Sequence, residues 1–138
     1  MMFSAVPKQV IDVVWDDVVK VLKPAVDTAK GKLGIKDIKE YLYNGAYELW
    51  VVMDGTKIVA AITTRIIDYP ERRALAMDFI GGTRMKEWLP EAQKTIEQFA
   101  LDNKCSHLEG YGRKAWGRWL GKYGWEPDYI AYRMEING

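Results

Sequence analysis

The chain has 138 residues, 49% of them apolar, and a formal net charge of +1. That length suits one domain spanning residues 1–138, and the apolar share excludes a disordered chain without a core. The near-neutral balance lacks the basic footprint of a nucleic-acid binder, and one cysteine with one histidine excludes both an intramolecular disulfide and a zinc constellation.

No stretch approaches the roughly 18 apolar residues of a membrane span, and the N-terminus lacks the apolar run of a signal peptide. With its lone Cys105 the chain suits a reducing compartment, so the expected location is cytoplasmic. Met1 to Val6 is too short and irregular to assign. Apolar residues at 10, 13, 14, 18, 21, 22 and 25 predict a helix from Val10 to Ala25, with Pro24 near its end. Its many valines lower helix propensity, so this helix depends on packing. Ile35, Ile38 and Leu42 predict a second, short helix closed by Asn44-Gly45. Tyr47 to Met53 reads as a strand, Asp54-Gly55 as a hairpin turn and Lys57 to Ile67 as the returning strand. After the turn at Asp68-Tyr69-Pro70-Glu71, Arg73 to Ile80 forms a third strand of an antiparallel meander.

Gly81-Gly82-Thr83 is expected to break that strand. Met85, Trp88, Leu89, Ala92, Ile96, Phe99 and Ala100 then keep helical spacing across Pro90. Cys105 to Glu109 is a fourth strand, parallel to the third through this crossover helix. Arg113 to Tyr123 is the last helix, and Trp125 to Ile136 is expected to finish the sheet.

The order α-α-β-β-β-α-β-α-β, and the run Leu120-Gly121-Lys122-Tyr123-Gly124-Trp125, resemble the GNAT N-acetyltransferase superfamily over roughly Tyr47 to Ile136. The resemblance implies an α/β fold, with a mixed, mostly antiparallel sheet, a splayed parallel strand pair and helices on both faces. It implies acetyl-coenzyme A as cofactor and direct acetyl transfer to an amine. In that family the last helix ends in Tyr-x-Lys-x-Gly-Phe, whose tyrosine protonates the leaving thiolate. Leu120 stands in the tyrosine's place, so Tyr123 or Tyr111 would have to substitute, although Tyr123 also fits the core stripe of Trp116, Trp119 and Leu120. The alternative is a catalytically silent GNAT-fold structural or interaction protein. The compact length and the Gly-Arg-Lys-x-Trp-Gly region also resemble small GNAT-like proteins of tailed bacteriophages, some of them virion components. That likeness implies host cytoplasm or virion.

On the same resemblance, the cofactor pyrophosphate would lie against Phe79, Ile80, Gly81, Gly82, Thr83, Arg84, Met85 and Lys86. There, amides and the helix dipole favour an anion. Arg113 and Lys114, at the start of the last helix, would add cations. The plain alternatives are a strand-to-helix turn and a solvated face carrying Lys114, Arg118 and Lys122. A general base is needed to deprotonate the amine. Asp78 is the first candidate and Glu109 the second, with His107 as the group that titrates near neutrality. Met77 and Phe79, flanking Asp78, are expected to face the other side of the sheet. The acceptor site would draw on Lys30 to Gly45 and Glu126 to Tyr129. Glu40, Glu126 and Asp128 with Tyr41, Tyr43 and Tyr129 suit a cationic small molecule or peptide amine. A homodimer through the last strands fits the same resemblance.

Overall fold

The computed structural model describes residues 1–29, 31–111 and 117–136. A five-stranded sheet has the spatial order β1-β2-β3-β4-β5, the same as the chain order. Its strands are β1 (Met2–Ala5), β2 (Glu48–Asp54), β3 (Lys57–Asp68), β4 (Arg73–Gly82) and β5 (His107–Gly110). The first four pair antiparallel, and β5 runs parallel to β4. A parallel neighbour needs a crossover, supplied by helix α3 (Met85–Asp102), which runs through Pro90 as a single helix. Helices α1 (Ile11–Asp27) and α2 (Ile35–Tyr43) precede the meander, and the short α4 (Gly117–Leu120) follows β5.

Alternation along the strands divides the core into two layers. Leu49, Val51, Ala61 and Phe79 pack under Val18, Leu22, Ile38 and Leu42 of α1 and α2. Trp50, Val52, Ile62, Leu75 and Met77 pack under Trp88, Leu89, Ala92 and Ile96 of α3. On the α3 side Trp50 stacks on Phe3 and meets Phe99 edge-on, with ring centroids 5.4 and 5.3 Å away. That contact explains β1: an irregular-looking N-terminus pairs with β2 because Phe3 caps a tryptophan that would otherwise lie open.

Two expectations are corrected. Gly81 and Gly82 do not break β4 but pair with Ala61 and Ala60 of β3, so the strand extends through them. Residues 126–136 form no strand and are exposed. The described part of the last helix is one turn of α-helix and a 3-10 turn, Gly121–Tyr123, closed by Gly124 in the left-handed conformation.

Gly81 is required by packing. A Cβ there would stand 2.2 Å from the Val21 carbonyl oxygen and 3.0 Å from the Leu22 Cα, so the α1 backbone lies directly on β4. Gly82 has φ +126°, and its Cβ would meet the Val59 carbonyl at 2.3 Å. We expect Gly81→Ala to push α1 off the sheet and cost about 3 kcal/mol, the upper end of overpacking penalties. Urea unfolding of the variant against wild type measures this; a midpoint within error of wild type would refute the contact.

Candidate active site

β4 carries one residue more than β3 between two of their paired positions. Thr63 pairs with Phe79 and Thr64 with Met77, leaving Asp78 without a partner in the ladder. Such a bulge bends its strand and puts neighbouring side chains on one face. Asp78 and Phe79 therefore both point to the α1–α2 side, and only Met77 faces α3 as expected. The β4–β5 ladder ends at Met77–Gly110, one residue before the bulge. The opposite end of this strand pair is tied shut. Ser106 donates its amide to the Arg73 carbonyl at 2.7 Å, and the Arg73 guanidinium donates to the Asn103 carbonyl at 2.7 Å. The two parallel strands are thus clamped at their N-terminal ends, and among the described residues they do not pair with each other beyond Met77 and Gly110.

Polar side chains gather around that opening. Arg65 of β3 donates to both oxygens of Asp78, at 2.6 and 3.2 Å. The Asp78 side chain is only 9% exposed, so the pair is a structural element with its carboxylate fully engaged. Asp78 in turn raises the pKa of Arg65, first through the hydrogen bond. Tyr47, buried at the edge of the α1–α2 core, has its phenol pushed up to about 12 by burial first and then by the charge of Asp78. Tyr41 packs on Tyr47 with ring centroids 5.3 Å apart.

The second group is built on β5. The Tyr69 hydroxyl donates to Glu109 at 2.9 Å, and His107 Nε2 lies 2.9 Å from the same carboxylate. His107 Nδ1 is 3.0 Å from Ser106 Oγ. The bond to Glu109 is the main reason that the Tyr69 phenol is pushed up to about 12. Tyr111 lies just past the end of β5 and is exposed. Its pKa is raised by partial desolvation first and then by the charges of Glu109 and Asp78.

Other expected site residues fall elsewhere. Tyr123 packs edge-on against Trp119, 5.6 Å between centroids, on the α3 side of the sheet, opposite Asp78. Its backbone carbonyl accepts from the Gln93 side chain of α3 at 2.8 Å. Of the acceptor candidates, the Tyr43 hydroxyl donates to Asp12 of α1, tying α2 to α1. Glu40, Glu126 and Asp128 are exposed, while Tyr129 is near enough to influence Tyr69 and Tyr111. Arg113, Lys114 and Lys30 lie outside the described residues; Arg118 and Lys122 are exposed.

The loop expected to cradle an anion differs from the reading in its geometry. The Thr83 amide donates to the Val59 carbonyl at 3.0 Å, and the Glu87 amide donates to the Arg84 carbonyl. Arg84, at φ 61°, turns its guanidinium onto Glu87 at 2.7 Å and Asp54 at 2.7 Å. The Thr83 amide therefore serves β3, whereas the Gly82 amide, alternate to it along the ladder, faces the other edge of β4. Phe79 belongs to the core, and Ile80 packs against the α3 side. Lys86, in the first turn of α3, makes no ion pair among the described residues. Among those residues no group of His, Cys, Asp and Glu is arranged to hold a metal, and no helix is long and apolar enough to cross a membrane.

Tyr47, Arg65 and Tyr69 were not among the sequence candidates. The one available signal was Arg65, a lone charge inside the strand run Ile58-Val59-Ala60-Ala61-Ile62-Thr63-Thr64-Arg65-Ile66-Ile67. A charge there demands a buried counter-charge.

No family model matches the chain, and no curated protein sequence matches it. Solved structures do. A probable acetyltransferase superposes with TM-score 0.73 at 11% identity, covering 100% of this chain and 99% of that one. An aminoglycoside acetyltransferase from an uncultured soil metagenomic sample, in complex with sisomicin, superposes with TM-score 0.71 at 11% identity, covering 99% and 96%. A transcriptional regulator from Bacillus halodurans C-125 superposes with TM-score 0.66 at 10% identity, covering 98% and 99%. The chain has this GNAT-like fold, and the fold alone carries more than one function.

Two measurements follow from the site. Asp78→Asn leaves the Arg65 guanidinium without its counter-charge. We expect a loss of about 1–3 kcal/mol, below the 3–5 kcal/mol of a fully buried pair because Arg65 is partly solvated. Equal urea midpoints for variant and wild type would refute that coupling. For Tyr47 the folded pKa lies above the unfolded one, so its contribution is complete below pH 10 and is lost as pH rises towards 12. Stability should fall across that window and fall less in Tyr47→Phe; parallel declines would exclude Tyr47 as a cause.

Proposed function

We propose that this chain transfers an acyl group from a thioester, with acetyl-coenzyme A as donor, to the amine of a small molecule or peptide. The observation that carries the reading is the parting of β4 and β5 at the Asp78 bulge, where Tyr47, Arg65, Asp78, Glu109 and Tyr111 gather. Beyond Met77 the β5-side edge of β4 has no strand partner among the described residues. Its amides and carbonyls suit an extended, amide-bearing arm such as the pantetheine of coenzyme A, by the logic of strand addition. When bound, the cofactor supplies an acetyl group activated as a thioester.

In this reading the side chains divide the proton work. Asp78 is engaged by Arg65, so it orients the guanidinium at the mouth of the cleft. Glu109, with His107 at 2.9 Å, receives the proton that an ammonium acceptor must lose. Tyr111, whose pKa the charges of both carboxylates help to raise, would be the residue to hold a proton for the thioester sulfur of a bound donor. Tyr41, Tyr47, Tyr69 and Tyr129 with the carboxylates suit a cationic acceptor. The neighbour solved with sisomicin supports a small-molecule acceptor.

A second reading, the catalytically silent module, is favoured by the start of α3. Arg84 is already neutralised by Asp54 and Glu87, and Gly81 and Gly82 are consumed by packing. These residues do not fit a diphosphate: two carboxylates stand beside the one arginine, leaving Lys86 as the cation. The phage resemblance belongs with this reading.

Thermal unfolding with and without acetyl-coenzyme A separates the two. A ligand at a hundred times its dissociation constant stabilises by about 2.7 kcal/mol. We expect a clear upward shift, and none at millimolar cofactor would leave the silent module. With an acceptor found by screening polyamines, aminoglycosides and peptide amines, Tyr111→Phe should slow acetyl transfer about a hundredfold. Tyr123→Phe should lower stability more than rate; the reverse pattern would move the proton donor to Tyr123.

A further inference from the structure

We propose that Ser106, His107 and Glu109 form a second reactive centre, in which Ser106 takes an acyl group from an activated ester or thioester and passes it to water. Its nucleophile stands at the N-terminal end of β5, where the parallel pair is tied shut, and not at the end where β4 and β5 part.

The three side chains form one line of contacts. Ser106 Oγ is 3.0 Å from His107 Nδ1, and His107 Nε2 is 2.9 Å from Glu109. A nucleophile, a base within hydrogen-bond reach and a third group that orients the base are the parts of an activated serine. A carboxylate only accepts hydrogen bonds, so Glu109 holds the ring proton on Nε2. Nδ1 is then the bare nitrogen, turned to the serine hydroxyl. The other acceptor beside that hydroxyl, the Arg73 carbonyl, is farther away at 3.3 Å.

The β3–β4 turn braces both ends of this line. The Tyr69 amide donates to the Arg72 carbonyl at 2.8 Å and closes the turn. From there the Tyr69 hydroxyl donates to Glu109 at 2.9 Å, and Arg72 Nε donates to Ser106 Oγ at 3.2 Å. Arg73 is engaged by Asp68, whereas Arg72 makes no ion pair among the described residues. A cation beside the hydroxyl favours its ionised form and offers a donor to the oxyanion of a tetrahedral intermediate. Ser106 is exposed and the His107 side chain is 32% exposed, so a small substrate reaches both. Glu109 is 17% exposed, which protects the orienting contact from water.

Ser106 Oγ bonds to the acyl carbon as its proton passes to His107 Nδ1. The C–O or C–S bond to the leaving group breaks, and that proton departs with the alcohol or thiol. Water then attacks the acyl-serine, one of its protons passes through Nδ1 to Ser106 Oγ, and the acid is released. One arginine on an open surface gives limited help to the oxyanion. The centre therefore suits a short acyl chain on a leaving group that departs readily, such as a phenolate or a thiolate.

Burst kinetics with p-nitrophenyl acetate, followed by peptide mass spectrometry of the acid-quenched protein, test this. We expect hydrolysis above the buffer rate and an acetyl group on Ser106. Ser106→Ala should abolish that label and slow hydrolysis about a hundredfold. Ser106→Cys keeps a nucleophile in place and should recover acylation at residue 106. Glu109→Gln offers an amide donor to Nε2 and so favours the proton on Nδ1; acylation should slow about as much, with the unfolding temperature showing that the fold persists. Undiminished acylation in that variant would overturn the role of Glu109. Wild-type hydrolysis at the buffer rate, or an acetyl group on another side chain and none on Ser106, would overturn the whole proposal. The assay contains neither coenzyme A nor an amine, and Ser106 has no part in the cleft chemistry, so this proposal and the functional reading above fail separately.

Discussion

One extra residue in β4 organises the functional half of this protein. Because Asp78 has no partner on β3, the alternation of β4 resets there, and Phe79 joins the carboxylate on the α1–α2 face that alternation alone would deny it. The bulge also falls where the parallel ladder with β5 ends. A continuous β4 would leave Asp78 opposite Met77, where it is now, and would turn Phe79 to the α3 side. The bulge therefore keeps Phe79 in the α1–α2 core beside the Arg65–Asp78 pair.

The glycines after the bulge show how one sequence feature serves two different physical demands. Gly81-Gly82-Thr83 before a helix reads as an anion cradle, because glycine lets a backbone approach a phosphate closely. Close approach is the correct inference, and the approaching object is protein. The α1 backbone lies on Gly81, and the Val59 carbonyl lies over Gly82. Sequence spacing alone does not distinguish a ligand's oxygen from a neighbouring carbonyl. Arg84 makes the same point, since a cation at a helix start suits a phosphate until Asp54 and Glu87 are found beside it.

Most of the architecture was legible because it rests on periodicity. The valine-rich stripe of α1, the three strands of the meander and the stripe of α3 across Pro90 all fell within two residues of the expected ends. β1 was not legible, because four residues carry too little pattern and their pairing is decided by Phe3 on a distant Trp50. Residues 128–136 were legible as strand pattern but not as conformation, since pattern says which faces match and nothing about which edge is available. Asp78 and Glu109 were found by residue type and location in the fold. Their partners Arg65, Tyr47 and Tyr69 lie on β3, before β2 and in the β3–β4 turn, and only tertiary pairing brings them together.

The sheet order equals the chain order, and this has a bearing on how the molecule comes apart. The edge strands β1 and β5 each hold on by a four-residue ladder, and β5 is joined to the sheet only across an eighteen-residue crossover helix. Local opening draws on the least-supported cooperative units. Fraying should thus begin at these two edges, and on the β5 side it releases Glu109, His107 and Tyr111 while the meander stays intact. The two carboxylate groups of the cleft then belong to parts with different melting behaviour: Asp78 persists with the meander, and Glu109 departs with β5. The cleft exists only as long as its weaker half remains docked, so its working temperature range is narrower than that of the fold that carries it.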